Sequence, residues 1–127
     1  MAERKMRAVR GAITVERDDA ELVVAATREL LTALAERNSI AHENVVSAIF
    51  TVTPDITSEF PARAARELGW VDVPLLCAME IPTPRGLAHC IRVLLHVETD
   101  LPRSALRHVY LRDARELRPD LRDDVAD

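Results

Sequence analysis

The stretch from Cys77 to Val93, CAMEIPTPRGLAHCIRV, places two charged side chains within runs that otherwise have the pattern of buried β-strands. Glu80 ends one of these runs, and Arg92 lies in the middle of the next. Because an unpaired charge is costly inside a core, the two residues must be either paired or used. A structural Glu80–Arg92 salt bridge and a functional pair that acts on a ligand are both open on this pattern.

Other kinds of chemistry are poorly represented in the sequence. It has no glycine-rich phosphate loop, no nucleophile elbow and no set of spaced histidines or cysteines that would predict a zinc site. The four histidines are scattered, and two cysteines, Cys77 and Cys90, are too few for a disulfide framework, so we expect both to be reduced. What remains is a set of arginines on predicted strands and one short helix, together with one glutamate, one tyrosine and one thiol. Such a set suits the binding of a small dianion and the orientation of its hydroxyl group.

Composition limits the class of protein further. A chain of 127 residues with 48% hydrophobic and 30% charged residues predicts one globular domain. The net charge of −4 argues against nucleic-acid binding, and the absence of a long apolar run argues against a membrane segment or an export signal. We therefore expect a soluble, cytoplasmic protein. All basic residues except Lys5 are arginine. The planar guanidinium of arginine suits the binding of carboxylates, but a preference for arginine codons explains most of these residues.

Periodicity and turn residues predict five strands and two helices. The predicted strands cover residues 5–15, 45–53, 71–80, 87–98 and 108–114, and the predicted helices cover residues 20–37 and 61–68. Asp18 or Asp19 is a candidate N-cap for the first helix. Gly11, inside the first strand, indicates a bulge or a place where another group approaches the backbone closely.

The fourth strand separates two faces of the predicted sheet. One face is wholly apolar, and it consists of Ile91, Val93, Leu95 and Val97. The other face is mixed, and it consists of Cys90, Arg92, Leu94 and His96. This pattern predicts an α/β (α+β) fold, a mixed sheet with helices packed on one face and Arg92 pointing away from them. A half-apolar second face is seldom bare, so we expect another copy of the chain to cover it in a closed homo-oligomer.

Six ordered segments of the chain resemble the AroH-type chorismate mutases. They are VRGAITVERD, TPDITSEFPARAARELGW, VPLLCAMEI, GLAHCIRVLLHVETD, RHVYL and LRPDL, and they run from about Arg10 to Leu121 with nearly unchanged spacing. The resemblance implies a homotrimeric pseudo-α/β-barrel that isomerises chorismate to prephenate for aromatic amino acid biosynthesis, with no cofactor, no metal and no covalent intermediate.

The resemblance also implies roles for five residues. Arg92 would reach the ether oxygen of chorismate, Arg10 and Tyr110 would hold the side-chain carboxylate, and Glu80 and Cys77 would bond the ring hydroxyl. Simple strand alternation places Cys77 and Glu80 on opposite faces. We therefore expect Glu80 to lie beyond the regular strand or after a bulge.

Further residues are implied by the resemblance to come from a neighbouring subunit or from the C-terminal tail. Phe60 and Arg66 would be supplied by the neighbour, with Arg63 at the mouth of the site. Leu117 and Arg118 would close over the substrate, within a partly mobile tail at residues 115–127.

Two other functions compete with this interpretation. The imine/enamine deaminases form similar trimers and also use an arginine against a carboxylate, but the CAME and LRPDL segments have no clear purpose in them. A non-catalytic trimer that binds a metabolite in the same pocket is the second alternative. Retention of every polar residue that the resemblance requires weakens that alternative.

Overall fold

Within residues 3–117, five strands form one mixed sheet, and two helices pack on one of its faces. The structure is a computed structural model that describes residues 3–117. The strands are β1 (Lys5–Thr14), β2 (Val45–Val52), β3 (Leu75–Met79), β4 (Cys90–Thr99) and β5 (Val109–Tyr110). The helices are α1 (Ala20–Asn38) and α2 (Ala62–Glu67), and three short 3₁₀ helices cover His42–Asn44, Arg103–Ala105 and Arg112–Glu116.

Strand β4 is the centre of the sheet, whose order is β3-β2-β4-β1-β5. It runs antiparallel to both β1 and β2, while β3 is parallel to β2 and β5 is parallel to β1. The predicted mixed sheet with helices on one face is confirmed. The central position of β4 gives Arg92 a fixed neighbour on each side, Ala12 of β1 and Thr51 of β2.

Helix α1 forms where its sequence pattern predicts. The side chain of Asp19 caps it by accepting hydrogen bonds from the backbone N–H groups of Glu21 and Leu22, at 3.0 and 3.1 Å. The helix ends at Asn38 and is followed by the C-cap Ser39, which has a left-handed φ of 54°. The predicted apolar stripe is buried against the sheet, and it consists of Val23, Ala26, Leu30 and Leu34.

Gly11 marks a close approach of α1 to the sheet, as predicted. A Cβ at this position would lie 2.9 Å from the Cδ1 atoms of Leu30 and Leu34, and 3.2 Å from the carbonyl oxygen of Val109. Those distances are shorter than ordinary van der Waals contact, so only glycine allows α1 and β5 to pack this tightly around β1.

Two strand starts were predicted too early. Strand β3 begins at Leu75 rather than at residue 71, because the chain turns before Pro74 and buries Trp70 and Val73 in the core instead of extending. Strand β4 begins at Cys90 rather than at residue 87, because His89 has a left-handed φ of 50° that interrupts extended backbone.

The last strand was predicted too long. Strand β5 covers only Val109–Tyr110, not residues 108–114, because Arg112 has a φ of 57° and begins a 3₁₀ helix. Arg112 is held there by its side chain, which donates to the Thr14 carbonyl at 3.0 Å and pairs with Glu29 at 2.8 Å. Helix α2 lies within one residue of its predicted bounds at each end.

The two faces of the sheet differ as the alternation predicts. On the helix-covered face, the apolar side chains of β4 are almost wholly buried with Phe50. On the second face, a small cluster of Ala12, Cys90, Tyr110 and Ala114 is buried. The edge residue Leu76, on this second face, is 62% exposed. Arg92 lies on the second face, away from the helices, as predicted.

Candidate active site

Arg92, Thr51 and Glu80 form a row across three adjacent strands. Thr51 of β2 is the register partner of Arg92 in β4 and of Ala78 in β3. Glu80 follows directly after β3, and its backbone N–H donates to the carbonyl of Val52 at 2.9 Å. Glu80 therefore lies one residue beyond the regular strand, but it still continues the strand alternation and shares the second face with Arg92. The expected departure from the alternation, which would bring Glu80 to the face of Cys77, does not occur within one copy of the chain.

The charges of Arg92 and Glu80 are in contact. Arg92 Nε lies 3.0 Å from Glu80 Oε2, and the hydroxyl of Thr51 donates to the same oxygen at 2.6 Å. The Arg92 Nε is nevertheless buried and has no properly directed hydrogen bond to any residue in the range 3–117, so its N–H does not point at the carboxylate. The contact is thus a charge pair rather than a bidentate bridge.

The exposure of the two side chains shows which of them faces outward. The Glu80 side chain is 17% exposed, whereas the Arg92 side chain is 43% exposed. Because the Arg92 Nε is buried, the exposed part lies mainly at the end of the guanidinium. The salt bridge exists, and it leaves the outer donors of Arg92 available to a ligand.

An open cleft of about 300 Å³ lies beside this pair. It is bounded by Thr53 to Asp55 after β2, by the turn at residues 80–88 and by Arg92. Its size is at the lower end of the range for small-molecule sites. The cleft can hold a compact ligand against a fixed cation.

Cys90 and Tyr110 lie beside Arg92 on the same face. Burial raises the pKa of the Cys90 thiol to about 11, although the nearby Arg92 acts in the opposite direction. Cys90 is fully buried, which confirms its interpretation as a small core residue. Tyr110 pairs with Ala12 and is 5% exposed, and Leu117 packs against its cluster. Arg118 lies outside the described residues.

Arg10 shares this face with Arg92. Its register partner Leu94 is two residues along β4 from Arg92. Its backbone N–H donates to His108 Nδ1 at 3.0 Å, which fixes the strand position. The Arg10 side chain makes no ion pair or hydrogen bond within residues 3–117, so among these residues its guanidinium is not committed to an internal carboxylate.

A second cleft, of about 310 Å³, lies on the helix side of the sheet. It is lined by Phe60 and Cys77, and Phe60 is 65% exposed rather than part of the core. Cys77 pairs with Phe50, so it points to the helix-covered face, opposite to Glu80. Burial raises the pKa of the Cys77 thiol, while the backbone N–H of Ala62 and the charge of Arg66 act to lower it. No residue lines both clefts.

The two arginines of α2 differ in what they bind. Arg63 contacts Glu67 at 2.9 Å, Glu59 at 3.1 Å and Glu21 at 3.3 Å. The hydrogen bonds to Glu59 and Glu67 raise the pKa of Arg63. Arg66 makes no ion pair or hydrogen bond to the part of the chain that the structure describes. Of the pair, Arg66 is the better placed to meet a ligand from outside.

The loop before Phe60 is held by Asp18. Its carboxylate accepts from Thr57 Oγ1 at 2.9 Å and from the backbone N–H groups of Thr57 and Ser58 at 3.0 Å. Hydrogen bonds from Ser58 and Thr57 lower the pKa of Asp18 to about 2, against a smaller opposing effect of burial. Asp18 thus orders the segment that presents Phe60.

Three polar residues around the Arg92 cleft were not predicted from the sequence. They are Thr51, which binds Glu80, and Thr53 and Asp55, which bind the start of β4. A Thr-x-Asp pattern immediately after a strand is typical of side chains that hydrogen-bond nearby backbone, so it could have indicated Thr53 and Asp55. The sequence around Thr51 carries no such pattern, because the bond from its hydroxyl to Glu80 depends on the register between two strands.

The described part of the chain gives two further findings. Within residues 3–117, no group of three or more histidine, cysteine, aspartate and glutamate side chains could hold a metal ion. Neither helix in that range has the length and apolar character needed to cross a membrane. A mixed sheet that carries a fixed arginine–glutamate pair at an open cleft defines a protein suited to binding a small anionic ligand.

Comparison with known proteins narrows this class of anion-binding proteins to one family. The profile of the family "Chorismate mutase type I" matches residues 6–121. The chain is 54% identical over 117 residues to the chorismate mutase AroH of Thermus thermophilus, covering 91% of this chain and 96% of that protein. It is 46% identical over 117 residues to the chorismate mutase AroH of Bacillus subtilis (strain 168), covering 91% and 92%.

The fold leads to the same family. The structure superposes on a chorismate mutase from Clostridium thermocellum with a TM-score of 0.86 and 44% sequence identity, covering 87% of this chain and 98% of that one. The chain belongs to the chorismate mutase type I family. The family resemblance seen in the sequence is confirmed, and the deaminase alternative is set aside.

Proposed function

We propose that this chain catalyses the isomerisation of chorismate to prephenate in aromatic amino acid biosynthesis, in the cytoplasm. The observation that carries the proposal is the Arg92–Glu80 pair, in which a guanidinium fixed at 3.0 Å from a carboxylate remains 43% exposed toward a cleft. Family membership supports the same activity.

Arg92 stabilises the transition state of this rearrangement. One carbon–oxygen bond breaks as one carbon–carbon bond forms, and negative charge grows on the ether oxygen. A cation already held in place needs no reorganisation at that moment, and so it stabilises this charge better than water does. The reaction needs no proton transfer, which agrees with a cleft that contains an ion pair rather than a general base.

The other residues hold chorismate in its compact, reactive conformer. Arg10 and Tyr110 bind the side-chain carboxylate of chorismate, and Glu80 accepts a hydrogen bond from its ring hydroxyl. Arg10 is suited to this role because its side chain has no internal carboxylate partner within residues 3–117. Restriction to one conformer supplies an orientation effect in addition to the electrostatic one. Leu117 and Arg118, at the start of the tail, close over the substrate.

A complete site requires a second copy of the chain. The Arg92 cleft and the Phe60 cleft lie on opposite sides of the sheet and share no lining residue. We propose that a homotrimer joins the first cleft of one copy to the second cleft of its neighbour, which supplies Phe60, Cys77 and Arg66, with Arg63 at the mouth. The half-apolar second face of the sheet is the surface that such an assembly would cover. Residues 1–127 act as one domain in this proposal.

The test is the disappearance of the diene absorbance of chorismate with purified protein. The product should be prephenate, which acid converts to phenylpyruvate. Rapid and saturable loss is the expected result. A folded, assembled protein that converts chorismate no faster than the buffer does would contradict the proposal and favour a non-catalytic binding protein.

A further inference from the structure

The start of β4 is fixed by a polar junction that involves Asp55. The backbone N–H of His89 donates to Asp55 Oδ2 at 2.9 Å and approaches Oδ1 at 3.2 Å. The hydroxyl of Thr53 donates to Asp55 Oδ1 at 2.5 Å and accepts the backbone N–H of Cys90 at 2.9 Å. One carboxylate and one hydroxyl therefore hold the successive backbone N–H groups of His89 and Cys90, three and two residues before Arg92.

The backbone held by this junction is strained. His89 has a φ of 50°, a left-handed conformation that is unfavourable for a residue other than glycine because it brings the Cβ close to the following carbonyl oxygen. Its carbonyl accepts the backbone N–H of Val15 at 2.9 Å, so both sides of the residue are bound. Left-handed residues of this kind persist only where their surroundings hold them, and they cluster at functional sites.

The junction sets the direction of Arg92. Extended backbone begins at Cys90, and Arg92 points to the same face two residues later. A change in where or at what angle β4 begins would displace the guanidinium from both Glu80 and the cleft. The backbone N–H of Thr53 also donates to the Cys90 carbonyl at 3.0 Å, so β2 and β4 are joined at this point.

We infer that Asp55 is a positioning residue, which aims Arg92 by holding His89 and Thr53 at the start of β4. The inference rests on the proposed function, because it assigns Asp55 a role through Arg92. Asp55 lines the same cleft, but its oxygens are occupied by internal donors, and its negative charge would repel a dianionic substrate.

The ionisation of Asp55 agrees with this role. Burial alone would raise its pKa, but hydrogen bonds from the Thr53 hydroxyl and the His89 backbone, together with the charge of the His89 ring, lower the pKa below its usual value. The His89 Nε2 lies 3.7 Å from Asp55 Oδ2. An ionised carboxylate is a stronger acceptor for a backbone N–H than a neutral one.

Kinetics of a double-mutant cycle test the inference. Asp55→Ala should lower kcat by about 10- to 100-fold with a smaller effect on KM, because Arg92 acts mainly in the transition state. Adding His89→Gly to Asp55→Ala should restore a large part of kcat, since glycine adopts the left-handed conformation without help. Asp100→Ala, which removes an exposed aspartate at the opposite end of β4, is the matched control and should keep the parental kcat.

Two measurements separate this role from plain stabilisation. Titration with a tight-binding transition-state analogue counts the folded sites, and kcat per folded site should still fall in Asp55→Ala. Amide hydrogen exchange of His89 and Cys90 should accelerate in the same variant, whether or not the enzyme is assayed. Unchanged kcat per folded site, or unchanged exchange, would overturn the inference. A wild-type protein without mutase activity would instead overturn the proposed function, and the exchange data would still decide whether Asp55 anchors β4.

Discussion

Arg92 Nε and Glu80 Oε2 approach to 3.0 Å across the strand that separates them, and the hydroxyl of Thr51 on that strand binds the same oxygen at 2.6 Å. The row spans β4, β2 and the end of β3, all of which belong to one continuous sheet. Such a row is rigid, because each member is attached to a paired strand. The position of the Arg92 cation is therefore set before any ligand arrives.

Replacement of Arg92 should remove most of the activity and leave the fold intact. A single preorganised donor at a developing oxyanion is typically worth roughly 10² to 10³ in rate, and a full charge should reach at least that value. Arg92→Ala should lower kcat accordingly, as measured by steady-state chorismate consumption. Circular dichroism and sedimentation should match the wild type. Dissociation or unfolding of the variant would show that the Glu80–Arg92 bridge is mainly structural.

Replacement of Thr51 should have a smaller effect on the same step. Thr51→Val removes the hydroxyl that binds Glu80 and keeps the shape and β-propensity of the side chain. A hydrogen bond to a charged group contributes about 1.5 to 3 kcal/mol, so we expect kcat/KM to fall by roughly 10- to 100-fold. Thr32→Val, at an exposed position of α1, is the control. Equal kinetics for the Thr51 and Thr32 variants would show that Glu80 does not depend on this donor.

Sequence patterns predicted the parts of the fold that depend on periodicity. The stripe of α1 and the alternation of β4 follow from burial, so they identified the helix and the face of Arg92 correctly. One error lies before β3, where the chain turns and buries Trp70 and Val73. The other two lie at His89 and Arg112, where left-handed conformations interrupt extended backbone. Those conformations are held by side chains distant in sequence, such as Asp55 for His89, and a local pattern does not contain that information.

The candidate site was predictable to the same extent. Strand alternation correctly separated Cys77 from Glu80, and it required no bulge. The exposure of Phe60 and the difference between Arg63 and Arg66 were not predictable, because they depend on tertiary ion pairs and on the order of the loop at Asp18. The roles of these residues came from family resemblance and remain predictions.

A methyl group at Gly11 should destabilise the fold. In Gly11→Ala, the new Cβ would lie 2.9 Å from two leucine side chains of α1, so the helix must shift or the side chains must leave their rotamers. Overpacking of this kind typically costs about 1 to 3 kcal/mol of unfolding free energy. Urea denaturation measures this difference. Gly86→Ala, whose Cβ would be no closer than 3.4 Å to its neighbours, should change stability far less.

The buried thiol of Cys90 should make stability depend on alkaline pH. Its pKa is raised to about 11 from an ordinary value of 9.0. Because the unfolded chain releases this proton first, the stabilising contribution is complete below pH 9 and is lost as the pH rises from 9 toward 11. The unfolding free energy of the wild type should fall more steeply over that interval than that of Cys90→Ala. Parallel curves would contradict the assignment of a buried, neutral thiol.

Complementation between two inactive variants tests the shared active site most directly. Arg92→Ala removes the cation that lines one cleft. Arg66→Ala removes the α2 cation that acts on Cys77 of the other cleft and that the neighbouring copy is proposed to supply, so each variant alone should have little activity. When the two variants are co-expressed equally and assemble at random into the proposed trimer, each mixed trimer should hold one site that combines an intact Arg92 half with an intact Arg66 half, which amounts to about one quarter of all sites. We therefore predict recovery of about a quarter of the wild-type rate. Mixed assemblies that show no more activity than the sum of the two separate variants would contradict a site built from two copies.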